Sequence, residues 1–240
     1  MEIIGRDLMI VILMGKCASG KDTQRKCLEE YGAIPMVSST TRGMREGEIQ
    51  GREYNFISEK EFLDKVQTGD IFEYRKYDSS NGTVYYGSEK IRLEGDKDYI
   101  KVLDPDGARA FINAYGRDNC FVVYLDVPKT VRYSRALIRE SNAGNASFEQ
   151  EWNKRAKDDD ERFMPDKVDD LVNFRLTLTG KEQDISNPYD IAEYITRTLY
   201  DFKRKDKDIA LRPQLVEGLC SLENGVGNTD KYRKENGFER

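Results

Sequence analysis

Histidine is missing from this chain of 240 residues. Its absence excludes a Ser–His–Asp triad, a histidine-ligated metal and imidazole acid–base chemistry. Any catalysis has to rest on positioning and electrostatics, or on carboxylates. Cysteine is scarce: Cys17, Cys27, Cys120 and Cys220 are widely spaced, with no C-x-x-C or other zinc spacing. They read as reduced thiols of a cytosolic protein, serving mainly in packing. No apolar run approaches the ~20 residues of a membrane span. The run Leu8–Met14 is cut short by Gly15-Lys16, and no A-x-A cleavage pattern follows. It reads as a buried strand rather than a signal-peptide core. A formal net charge of −5 leaves no overall basic footprint for nucleic acid. The expectation is a cytoplasmic protein with no membrane partner and no nucleic-acid partner.

What the chain does have is enough length to bury a core without disulfide or metal staples. Its composition, 38% hydrophobic and 35% charged, predicts a very polar surface. Four apolar runs, Leu8–Met14, Tyr99–Leu103, Phe121–Leu125 and Leu171–Leu178, alternate with helix-like stretches. That order implies an α/β fold with a parallel sheet flanked by helices. Helices are predicted over Thr23–Glu30, Glu59–Gln67, Lys129–Glu140, Phe148–Phe163 and Pro188–Phe202. Ser58 and Glu61 make a capping box for the second, and Pro188 suits the first position of the last. Between about Ser38 and Ser88 the strands are short. There Asn81-Gly82 between Tyr-rich runs predicts a type I′ hairpin, the mark of a small antiparallel insertion. Beyond about Lys203 the chain turns charged and Gly/Asn-rich, which predicts a partly disordered appendage.

Gly15-Lys16-Cys17-Ala18-Ser19-Gly20-Lys21 fits G-x-x-x-x-G-K, with a strand before it and a helix after it. Such a loop turns backbone N–H groups toward phosphate oxygens at the positive end of a helix. The ATP-binding set read from it is Gly15, Cys17, Ala18, Ser19, Gly20, Lys21, Asp22 and Thr23, with Lys21 reaching the β/γ-phosphates. Asp22 stands where Ser or Thr usually offers a hydroxyl to Mg²⁺. It either touches the metal through water or caps the helix, and Thr23 is the next hydroxyl in line.

The acceptor is suggested by Val37-Ser38-Ser39-Thr40-Thr41-Arg42-Gly43-Met44-Arg45-Glu46-Gly47-Glu48, continuing Gly51-Arg52-Glu53-Tyr54-Asn55-Phe56-Ile57-Ser58, and by Tyr85-Tyr86-Gly87-Ser88. These stretches closely resemble the guanylate kinase family pattern S-x-T-T-R-x-x-R-x-G-E-x-x-G-x-x-Y-x-F and its Y-Y-G-S. The similarity runs, with gaps, from about Met9 to Leu199. The resemblance implies a P-loop NTPase-type core over 1–37 and 89–205, with a helical lid at about 130–163. A nucleoside monophosphate-binding insertion would cover 38–88, and 206–240 would be the appendage. It implies ATP-dependent phosphorylation of GMP or dGMP, Mg²⁺ carried with ATP, and a monomer or homodimer.

Residue by residue, the resemblance gives the acceptor phosphate to Ser38, Arg42, Arg45, Tyr54 and Tyr86, since guanidinium forks suit a dianion. It gives the guanine edge to Glu73 and Ser88, with Gly87 also in the acceptor-binding set. Leu103-Asp104-Pro105-Asp106-Gly107 follows a strand where the family has L-D-x-D, so Asp106 is expected to read the base. Asp104, like Thr23, is expected near the metal through water. Arg135 and Arg139, with Arg132 continuing their stripe, and Arg155 are expected as lid arginines acting with Lys21 and Arg42 on the transferring phosphoryl group. Phe148, Trp152 and Phe163 are expected in the lid core, and Asp158-Asp159-Asp160 as a solvated face. Ala18 stands where the family has glycine, and the Glu73–Tyr86 hairpin is longer than the family's. A same-fold kinase for another phosphorylated acceptor and a non-catalytic interaction module remain open alternatives.

Overall fold

The computed structural model describes residues 8–79, 82–94, 96–141, 148–179, 187–204 and 215–216. Its larger sheet has six strands: β1 Ile10–Met14, β2 Ile34–Pro35, β7 Tyr99–Val102, β8 Cys120–Asp126, β9 Phe174–Thr177 and β10 Leu215–Val216. They lie in the order β10-β9-β8-β1-β7-β2, every pair parallel. β1 is buried at all five positions, as a parallel strand covered on both faces must be. Its period of two sorts the core. Val11 and Leu13 face α1 (Lys21–Glu30) and α7 (Pro188–Arg204), where Cys27, Leu28, Ile191, Ile195 and Leu199 join them. Ile10, Ile12 and Met14 face α3 (Pro105–Tyr115), through Ala108 and Phe111.

The helix α3 is not among those predicted from the sequence. Pro105 is in fact its first residue, and Asp104 is its N-cap, accepting from the Gly107 N–H at 2.8 Å. A ring with φ already helical and no N–H to waste favours that start.

The second sheet, β4-β3-β6-β5, comes from β3 Ser39–Thr40, β4 Asn55–Phe56, β5 Ile71–Ser79 and β6 Gly82–Glu89. It is antiparallel at β3–β6 and β5–β6, but β3 and β4 run parallel, so the expected antiparallel insertion is a mixed sheet. The helix α2 (Glu59–Thr68) starts on the Ser58 cap, whose side chain accepts from the Glu61 N–H, and ends on left-handed Gly69. It closes the back of the sheet with fully buried Phe62. Gly82 is paired with Ser79, and Asn81 of the expected turn lies outside the described residues. Within the expected appendage, Leu215–Val216 pairs with β9, which makes it sheet edge rather than tail. The remainder of that segment lies outside the described residues.

The helices α4 (Lys129–Ser141) and α5 (Phe148–Arg162), followed by the short α6 (Pro165–Val168), complete the fold. Trp152, Ala136 and Ala156 pack together, with Phe148 and Tyr133 against them. Phe163 departs from the expectation. It stacks on Tyr124 of β8 and belongs to the main core. Residues 142–147, between the two helices, lie outside the described residues. Among the described residues no helix is long and apolar enough to cross a membrane.

Candidate functional site

The carboxyl ends of β1 and β7 face the second sheet across a cavity of about 1050 Å³. A crevice at the carboxyl ends of parallel strands is the usual ligand position in open α/β sheets.

At the donor end, β1 runs into the loop 15–20 and the chain turns into α1 at left-handed Gly20. A Cβ on Gly15 would stand 2.6 Å from Ser19 Oγ and 2.9 Å from the Leu125 carbonyl, so no other residue fits there without displacement. Ala18, at φ 58, is the only described non-glycine residue with positive φ. The loop asks for glycine at the position where the resemblance expects one. Lys21 Nζ donates to the carbonyls of Gly15 and Lys16 at 2.7 and 3.0 Å, and burial lowers its pKa.

Two arginines of α4 hold the loop from outside. Arg132 is fully buried and donates to the carbonyls of Val127 (3.0 Å) and Cys17 (3.3 Å), its guanidinium over the Trp152 ring. It therefore does not continue an exposed stripe. Arg135 donates to the Ser19 carbonyl at 3.2 Å. Arg139 and Arg155 lie mostly exposed along a small cleft beside Cys17 and Ala18, outside the main cavity. The acidic run of α5 is more than a solvated face. Asp159 accepts from the Cys17 N–H at 2.5 Å, and Lys16 pairs with Asp160 at 2.6 Å. Burial, then the Asp159 contact, push the Cys17 thiol up to about 11. Cys17, Cys27 and Cys120 are free thiols; Cys220 lies outside the described residues.

At the end formed by the second sheet, Ser38, Arg42, Arg45, Tyr54, Glu73, Tyr86, Gly87 and Ser88 all line the cavity. Arg42 forks onto Glu48 at 2.6 and 3.0 Å, and Glu48 also accepts from the Arg45 N–H. These bonds hold the Glu48 carboxyl down at about 2. The Nε of Arg42 is buried without a hydrogen-bond partner among the described residues, and its guanidinium lies over Tyr54 and Phe56. Tyr54 and Tyr86 meet edge to face. Glu73 accepts from Ser88 Oγ at 3.1 Å. Burial raises its pKa, with Arg75 acting against that shift.

The aspartate that reaches this cavity is Asp104. Asp106 is 72% exposed and touches the site only through Arg75, at 3.5 Å. Asp104 is bound by Arg75, Arg162 and the Gly107 N–H. Thr23 is exposed and lines neither this cavity nor the neighbouring one of about 570 Å³, which Asp22 does line. Four functional candidates went unseen in the sequence: Arg75, Lys101, Asp159 and Arg162. Lys101 is buried in β7 and donates to the Met36 carbonyl (2.8 Å) and Ser38 Oγ (2.6 Å). A lysine inside an apolar strand was its only sequence signal.

A glycine-bounded phosphate loop between a parallel strand and a helix, opening on a side-chain-lined cavity at the sheet's carboxyl edge, defines a P-loop α/β protein. The family model described as guanylate kinase matches residues 8–164. A guanylate kinase of Clostridium tetani is 38% identical over 122 residues, covering 49% of this chain and 56% of its own length. One of Lactiplantibacillus plantarum is 36% identical over 107 residues, or 42% and 50%. The chain thus spans about half the length of these relatives. One of Mycoplasmopsis pulmonis is 30% identical over 184 residues, covering 72% of this chain and 88% of its own. The crystal structure of guanylate kinase from Anaplasma phagocytophilum shares the fold, with TM-score 0.52 at 19% identity, over 82% of this chain and 87% of its own. The chain belongs to the guanylate kinase family.

Proposed function

We propose that this chain transfers the γ-phosphoryl group of ATP to GMP or dGMP. The observation that carries the proposal is the single cavity lined at one end by Gly15, Cys17 and Lys21 and at the other by Arg42, Tyr86, Glu73 and Ser88. ATP would lie on the phosphate loop, with Lys21 turning from the loop carbonyls to the β/γ-phosphates. The acceptor phosphate would lie between Arg42, Arg45, Tyr54, Tyr86 and Ser38. Ser38 Oγ accepts from Lys101, which leaves its own O–H free to donate toward that phosphate. Glu73 accepts the guanine N1–H and N2–H₂ together, a pair that adenine cannot offer.

Transfer then needs positioning and charge neutralisation, with no covalent intermediate and no histidine. Arg135, Arg139 and Arg155 surround the loop from α4 and α5, and we assign them to a lid of about 130–163 above a core of 1–37 and 89–205. The insertion 38–88 carries the acceptor. Among the described residues no three side chains form a metal cluster. Exposed Asp22, in the first turn of α1, would meet through water a Mg²⁺ that arrives on the nucleotide. Bound in that way, it neutralises phosphate charge.

The test is ADP release with Mg·ATP and a panel of GMP, dGMP, AMP, UMP, CMP and sugar phosphates, for the wild type and Glu73→Gln. Turnover with the guanine nucleotides, and a GMP-to-AMP preference that falls in Glu73→Gln, is expected. Turnover only with another acceptor would overturn the substrate. Folded protein that neither binds ATP nor turns over would be an interaction module.

A further inference from the structure

The strand period of two decides which residues face the acceptor. Glu73, Arg75 and Tyr77 alternate along β5, their register partners Ser88, Tyr86 and Val84 along β6, and all six line the cavity. Arg75 is the charged member of this face to which nothing above gives a task. Its guanidinium forks onto Asp104, Nη2 to Oδ1 at 2.9 Å and Nε to Oδ2 at 3.3 Å. Nη1 lies 3.4 Å from Glu73 Oε1, and Nη2 lies 3.5 Å from Asp106 Oδ2. All three carboxylates at the base end thus converge on one arginine, whose side chain is still 30% exposed.

Resting on the guanine reading above, we infer that Arg75 is a third base reader, donating to the O6/N7 edge of the purine while Glu73 takes N1–H and N2–H₂. A carboxylate on N1–H has O6 as a neighbour along the base, within reach of a guanidinium that lies 3.4 Å from Glu73. O6 and N7 form a pair of acceptors, and one edge of a guanidinium is the matching pair of donors. The two oxygens of Asp104 are an acceptor pair of the same kind. They hold the fork in a geometry a purine edge can take over. Asp104 is not orphaned by that exchange, because it keeps Arg162 at 3.2 Å and the Gly107 N–H at 2.8 Å. Adenine would turn its N6 donor toward an arginine that can only donate. The site therefore takes a 6-oxopurine nucleoside monophosphate with an intact N7.

The experiment compares GMP with 7-deaza-GMP, which keeps O6, N1–H and N2–H₂ but has no acceptor at position 7. In the wild type kcat/KM should fall by ~10-fold or more on the analogue. In Arg75→Gln the value for GMP should fall to the level of the analogue, so that the ratio approaches 1. Arg75→Lys, which keeps the charge but not the fork, should lose most of the ratio too, and it serves if the glutamine variant folds poorly. A ratio unchanged in either folded variant, or a wild type that treats both nucleotides alike, overturns the inference and leaves the guanine reading standing. A wild type that turns over another acceptor and not GMP overturns that reading, and this inference with it.

Discussion

At the phosphate-loop end, side chains grip the loop by its backbone. Lys21 lies on two carbonyls of its own loop, Arg132 and Arg135 hold two more, and the Cys17 N–H is taken by Asp159. At the opposite end polar side chains hold one another: Arg42 with Glu48, Arg75 with Asp104, Glu73 with Ser88. A phosphate chain presents much the same oxygens whatever base it carries, so a backbone cradle serves it. A base and a single phosphate must be told from competitors, which takes side chains of fixed geometry. The difference teaches where variation can change the substrate and where it can only remove activity.

The sharpest break is Lys21→Ala. Turnover should fall by ~10²–10³-fold in steady-state assays, with circular dichroism unchanged; a variant active at the wild-type level would mean that the loop does not hold the donor.

Next comes an exception at the opposite end, Lys101, which bonds a carbonyl and a hydroxyl and, among the described residues, no carboxylate. Burial lowers its pKa from 10.5 to about 8, and Glu73 is the charge that opposes the shift. Between these two values the unfolded chain holds a proton that the folded chain has released. Stability should therefore rise with pH from about 8 to about 10.5, and below about 8 the penalty is constant. Relative to Lys101→Met, the wild type should gain roughly 3 kcal/mol across that window. Urea midpoints of both proteins at pH 7.5 and 10.5 measure it, and a flat difference would mean that the lysine is well solvated.

The smallest effect belongs to Asp159, the carboxylate that α5 sets against the phosphate loop. Asp159→Asn removes a charge that competes with phosphate for the Cys17 N–H, so ATP should bind about 3- to 10-fold tighter. Equilibrium titration would read this, and an unchanged Kd would mean that the contact is released at no cost.

Much of the core was legible because its signals are local. Ile10–Met14 is continuously apolar, the glycines bound the phosphate loop, and Ser58 with Glu61 announces α2. That Arg42, Tyr54 and Tyr86 belong together was legible through motifs that carry a resemblance, and they line one cavity. What stayed hidden depends on distance in sequence. Asp104 and Asp106 are told apart only by which of them α3 turns toward the cavity, and no helix was predicted over that stretch. Arg75 and Arg162 become meaningful only when β5 and the end of α5 meet at Asp104. Asp159 read as surface because its partner, the Cys17 N–H, is 142 positions away. Arg132 looked like one more exposed cation until the fold closed Trp152 over it.

Gly87 bears on how this family member could be redesigned. A Cβ there would stand 2.8 Å from both Phe62 and Ile71 and 3.1 Å from the Glu73 carbonyl, so α2 lies flush against the back of the strand pair. The back is a mould with no slack, and the front is a bench on which tools can be exchanged. A library that seeks a new acceptor should randomise positions 75, 77 and 84, and leave 62, 71 and 87 as they are.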